Sequence, residues 1–232
     1  MNYLIKSHIG AGELSFIQQT FGEYKWERVY HNPEKGIGLF AAELGNPQEL
    51  GQAIGVYPFV NFPLNPGRKI KLFVRTGNGL GLITKPFEKT KNHKNNINGS
   101  YINQFIYLRL YTTFRPSKNL IMDSGVGLTH LSNGNFAVPN LGINLMTVNV
   151  GLRFQKPNPL ANQLLNHKLD TTYRKYDKKP FVTVVTSAGL NESNYRNGKK
   201  YGVFSLALSG WKNVSPKSRF GFGLDYFYDY SN

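Results

Sequence analysis

The chain has 232 residues, 40% of them hydrophobic, with 28 Lys and Arg against 13 Asp and Glu and a formal net charge of +15. That is apolar material for one sizeable domain, and no apolar run approaches the ~18–20 residues of a transmembrane helix. The absence of cysteine excludes disulfides, thiolate metal sites and cysteine nucleophiles.

Taken in order, the amino terminus from Met1 to His8 lacks a basic segment followed by an apolar one, so it is not itself a secretion signal. Either the protein is cytosolic, or this is a fragment whose signal peptide lies outside it. Extra strands have room near Asn2–Phe21. Strands are then predicted at Glu23–His31, Gly36–Leu44, Ala53–Phe62, Lys69–Thr76 and Tyr101–Phe114. They continue at Asn119–Leu131, Ile143–Gln155, Phe181–Leu190, Tyr201–Trp211 and Arg219–Tyr230. Clusters of Gly, Asn, Pro, Ser and Lys separate them. Helical turns are expected only at Pro47–Gln52 and Asn158–Leu169.

Several of these strands exceed ten residues, where about five or six is typical. Strands of ~9–11 residues are what a membrane barrel needs to cross. Alternation is sharpest in the second half. Leu120, Met122, Ser124, Val126 and Leu128 share one face, while Asp123, Gly125, Gly127 and Thr129 share the other. Phe220, Phe222, Leu224, Tyr226, Tyr228 and Tyr230 oppose Gly221, Gly223, Asp225 and Asp229. Bulky apolar side chains on one face and small polar ones on the other fit a barrel with a narrow polar lumen. The expected fold is therefore all-β: one antiparallel membrane β-barrel over residues 1–232, of about 8–12 strands. A final strand or strands would lie beyond a chain ending in Tyr230-Ser-Asn. A soluble β-sandwich or barrel is the competing reading, since alternation alone does not distinguish lipid from core.

At the end of the strand Asn119–Leu131, His130 and Ser132 stand two residues apart and continue the Leu120–Leu128 stripe on the same face. The following strand sets Asn144 in the same parity as Met146, Val148, Val150, Leu152 and Phe154. A hairpin between the two would bring Asn144 beside His130 on the apolar face. A Ser–His pair there makes sense if the substrate is a membrane lipid. The bland alternative is a turn-edge pair that hydrogen-bonds loop backbone.

The run His130-x-Ser132-Asn133, then Pro139-Asn140-x-Gly142-Ile, resembles the PagL-type lipid A 3-O-deacylases of the wider acyloxyacyl hydrolase family. Arg75-Thr-Gly-Asn-Gly-Leu80 fits the same resemblance, whose specific part spans about Gly125–Phe154. It implies an outer-membrane barrel with a serine esterase site on its outer wall. Ser132 would be the nucleophile, His130 the base, and lipopolysaccharide in the outer leaflet the partner. Backbone N–H groups at Asn133 and Gly134, or the Asn140 side chain, would receive the oxyanion. The family places a glutamate where this chain has Asn144, and an asparagine holds the tautomer without supplying negative charge. A non-catalytic barrel with a structural or lipid-binding role is thus the alternative function.

Lysines cluster in Lys85–Lys94 and Arg174–Lys179, with Lys199 and Lys200 in a third loop. Basic loops at a membrane surface suit lipopolysaccharide phosphates. No nucleic acid is expected, because no recognised motif is present and the aromatics lie in strands. His8, His31, His93 and His167 lack ligand spacing, so no metal or other cofactor is proposed. Gly77-Asn-Gly-Leu-Gly81 is not a phosphate loop, since no Lys-Ser pair follows, and its glycines point to strand packing or a bend.

Overall fold

A computed structural model describes residues 4–66, 68, 70–156, 175–193 and 197–230. Among the described residues, ten strands form two antiparallel sheets. The first contains β1 (Ala11–Gln19), β2 (Glu34–Glu43), β3 (Gln52–Pro63), β4 (Lys71–Ile83), β5 (Ile102–Phe114), β6 (Leu120–Ser132) and β7 (Ile143–Phe154), each paired with its sequence neighbour. The second contains β8 (Phe181–Glu192), β9 (Lys200–Asn213) and β10 (Arg219–Asp229), with β9 central. The first sheet curls into a half-barrel whose edge strands, β1 and β7, wall a common cavity. No helix among the described residues is long and apolar enough to cross a membrane, which says nothing of strands.

The period-two pattern sorts side chains to the two faces of the curled sheet. Along β5, Asn103, Phe105, Tyr107, Arg109, Tyr111 and Thr113 are buried, while Ile106, Leu108 and Leu110 are exposed. On β7, Met146, Val148 and Val150 are 85–88% exposed. A continuous outer face of such residues is far beyond the scattered apolar exposure of a soluble monomer. In the second sheet burial alternates along β9, while both faces of β8 and β10 are largely exposed. Its register aligns Val184, Leu208 and Leu224 on one face, and Val185, Ala207 and Asp225 on the other.

The expected small polar lumen holds only in part. Tyr57, Phe59, Phe105 and Tyr107 fill it with packed rings, Tyr57 and Phe105 at 4.9 Å between centroids. Glycines on neighbouring strands make that space. A Cβ at Gly38 or Gly77 would lie 2.6 or 2.5 Å from the Tyr57 ring, and one at Gly55 would lie 2.5 Å from Phe105. Gly77 therefore serves aromatic packing and Gly81 gives room to Leu131 inside one strand, and β4 runs seven residues past the predicted end at Thr76. Polar residues complete the interior. Arg75 pairs with Glu13 and donates from Nε to Asn61 Oδ1 at 2.8 Å. Asn61 Nδ2 donates to Glu34 at 2.8 Å, and Arg153 donates to Glu34 at 2.7 Å. This chain of bonds links β1, β4, β3, β2 and β7 across the lumen. Buried charges of this kind need partners, and they fix geometry more than they add net stability.

One predicted strand is an element of another kind. The segment Glu23–His31 is not a strand; it contains α1 (Lys25–Val29), because Glu27 reaches back to accept the Glu23 N–H at 2.8 Å and the Tyr24 N–H at 3.4 Å. Pro47–Gln52 supplies one hydrogen-bonded turn, closed by Leu50 N–H to Asn46 O at 2.9 Å, before β3 begins at Gln52. The expected strand near the amino terminus is β1. Asn158–Leu169, His167 and Arg174 lie outside the described residues.

Replacing Gly77 by valine should destabilise the protein by about 1–3 kcal/mol through overpacking against Tyr57. The penalty should shrink in a Tyr57→Ala background, measured as the urea midpoint in detergent micelles. Equal penalties in both backgrounds would contradict this packing.

Candidate active site on the outer wall

Thr129 and Leu131 are fully buried on either side of His130, so His130 and Ser132 project from the opposite, outer face of β6. Pairing of β6 with β7 sets His130 directly opposite Asn144. Opposed residues on one face of a sheet have Cβ atoms ~4.5–5.5 Å apart, close enough for their side chains to bond. They do: His130 Nδ1 and Asn144 Oδ1 lie 2.8 Å apart. An amide oxygen can only accept, so Nδ1 is the donor in this pair.

Ser132 Oγ is engaged by the connection between β6 and β7. Asn140 Nδ2 donates to it at 3.1 Å, and Gly134 N–H donates at 3.3 Å. Among the described residues no hydrogen bond joins Ser132 to His130. Asn133 is used differently. Its N–H donates to Asn140 Oδ1 at 3.1 Å, and its amide side chain bonds Ala137. Of the three candidates for oxyanion binding, Gly134 and Asn140 converge on Ser132 Oγ, and Asn133 braces Asn140. Asp123 faces the lumen and pairs with Arg109, away from the imidazole.

Gly142 ends this connection in a left-handed conformation, with φ of 72°. A Cβ there would stand 2.9 Å from His130 Cε1, so the imidazole packs against bare backbone. A shallow groove of about 830 Å³ opens beside Ser132, walled by Leu80, Tyr101, Ile102, Gln104 and Phe136. Its mouth is therefore lined by apolar side chains of β4, the start of β5 and the β6–β7 connection.

Sequence reasoning missed what holds the connection in place. The β4–β5 connection is more than a basic loop, because its asparagines knit it into an ordered support. Asn95, Asn98 and Asn103 are buried, and Asn98 Nδ2 donates to Asn103 Oδ1 at 2.7 Å. Asn98 bridges Asn140, and Leu141 N–H donates to Ile97 O at 2.8 Å. The run Asn92–Asn98 was the available signal. Strand order also divides the basic clusters. Lys85–Lys94 and Lys199–Lys200 lie at the site's end of the sheets, and Lys175–Lys179 precedes β8 at the other end.

A Gly142→Ala change should push the imidazole off Asn144. The expected outcome is a shifted His130 ring resonance and faster exchange of its Nδ1 proton, with the fold retained. Unaltered His130 signals would contradict the contact.

The family model for lipid A 3-O-deacylase (PagL) matches residues 10–153, which takes in β1 to β6, all but the last residue of β7, and every candidate site residue. No curated protein and no solved structure matches the chain. The match covers more than half of the sequence, and the chain belongs to the lipid A 3-O-deacylase (PagL) family.

Proposed function

We propose that this protein is an outer-membrane serine esterase that removes a 3-linked acyl chain from lipid A. The observation that carries the reading is the placement of His130, Ser132 and Asn144 together on the exposed apolar face, with Asn144 bonded to His130 Nδ1. A hydrolytic pair on an outward apolar wall faces lipid, so its natural substrate is an ester within the leaflet. Antiparallel pairing of sequence neighbours in both sheets suits a single barrel domain.

In the proposed reaction, rotation about χ1 turns Ser132 Oγ from Asn140 toward His130 Nε2. Such bonds often tighten only when substrate binds. Ser132 Oγ attacks the ester carbonyl as Nε2 takes its proton. The oxyanion forms within reach of Gly134 N–H and Asn140 Nδ2, the two donors already aimed at Oγ. Collapse breaks the bond to the sugar oxygen, which takes the proton back from His130. Water, deprotonated by the same nitrogen, then releases the fatty acid and restores Ser132. The apolar groove beside Ser132 receives the acyl chain. Exposed Lys89 and Lys91 on the β4–β5 connection suit the anionic headgroup.

The second reading, a barrel that binds lipid without cleaving it, is favoured by one observation: the position of the family's glutamate is Asn144. Imidazolium donates a charge-assisted bond to either acceptor, but a carboxylate adds an ion-pair attraction that an amide oxygen lacks, about 1–2 kcal/mol. The difference corresponds to roughly tenfold in rate. Asparagine therefore slows such an enzyme without abolishing it.

Folded protein incubated with lipopolysaccharide in micelles should release one hydroxyacyl chain, seen as a mass loss in lipid A. Ser132→Ala and His130→Ala should abolish the loss, and Asn144→Glu should accelerate it roughly tenfold. No mass change with wild type and with Asn144→Glu alike would favour the non-catalytic barrel.

A further inference from the structure

The connection carrying Asn140 is gripped from a part of the chain beyond the family match. Glu192, the last residue of β8, is 4% exposed, and its Oε2 accepts the Val138 N–H at 2.6 Å. Its own N–H donates to Asn135 O at 3.1 Å. Asn191 accepts a bond from the Asn135 side chain. Lys200, opening β9, donates to Phe136 O at 2.5 Å and sets its ammonium 3.2 Å from the Phe136 ring centroid. Bonds from β8 and β9 thus land on Asn135, Phe136 and Val138, just ahead of Asn140.

The opposite side is equally confined. A Cβ at Gly99 would lie 2.5 Å from Val138 O, so the β4–β5 connection packs directly on the same residue. Val138 is held between two supports of unrelated origin, one within the family match and one outside it. A carboxylate sequestered from water is costly unless it is bonded, and a charge-assisted bond to backbone N–H is short and directional.

We infer that Glu192 is a positioning residue for the reaction at Ser132: through Val138 it fixes Asn140, and so the donor that Asn140 Nδ2 presents to Ser132 Oγ. The inference rests on the hydrolase reading for its kinetic consequence, but not for its structural one. Losing the Val138 bond leaves the nucleophile and base untouched and displaces an oxyanion donor, which lowers kcat rather than substrate binding. Glutamine keeps an oxygen that accepts the same N–H, so it restores geometry without the charge.

The test uses the full chain in micelles with Glu192→Ala and Glu192→Gln, and two readouts. Amide exchange at Val138 and the side-chain amide resonances of Asn140 report the clamp directly. Lipid A deacylation gives kcat and KM. In Glu192→Ala, Val138 exchange should rise about tenfold or more, the Asn140 signals should move, and kcat should fall roughly 10- to 100-fold with KM within about twofold. Glu192→Gln should recover most of each. Unchanged Val138 exchange and Asn140 signals in Glu192→Ala would overturn the inference, as would a change in KM alone. If wild type releases no acyl chain, the hydrolase reading falls, and exchange with the Asn140 resonances still decides the clamp.

Discussion

The arrangement at the site depends on the register between β6 and β7. Because side chains alternate with a period of exactly two residues in a strand, a slip of one residue would turn His130 and Ser132 into the lumen and expose Thr129 and Leu131. The observed pairing of His130 with Asn144 does three things at once. It buries Leu131 and Leu145, leaves Met146 and Val148 on the outer face, and brings an amide oxygen to the imidazole. Core packing and site assembly are therefore the same constraint. A sheet that satisfied its interior would also have to present the pair outward.

The lumen holds that register in place. Packed rings of Tyr57, Phe59 and Phe105 interlock with glycines of β2, β3 and β4, so strands cannot slide without opening clashes. The chain of bonds from Glu13 through Arg75, Asn61 and Glu34 to Arg153 ties the two edge strands across the interior. Rigid support behind a strand is what an outward-facing site needs, since that face is exposed. The connection after β6 then adds the donors that a strand alone cannot supply.

How much of this was legible in sequence follows from how local each signal is. Strict alternation in β6 and β7 gave the faces of His130, Ser132 and Asn144 directly. Gly134 and Asn140 could be nominated as donors from their place in the turn. By contrast, α1 is disguised by Tyr24, Trp26, Val29 and Tyr30, residues at home in strands, and it forms because one glutamate caps it. Aromatics inside the lumen were invisible because their room comes from glycines on other strands. Glu192 and Lys200 were unreadable for the same reason: they meet residues 54 and 64 positions away. No pattern within one segment encodes such a contact.

The claim that matters most is that Ser132 is a nucleophile activated by His130 on the lipid-facing wall. A long-chain alkyl fluorophosphonate, which bonds covalently to an activated serine, tests it without depending on the natural substrate. Peptide mass analysis of the labelled, folded protein should find one adduct, on Ser132, and none after His130→Ala. A protein that stays unlabelled, or an adduct on another serine, would contradict the account.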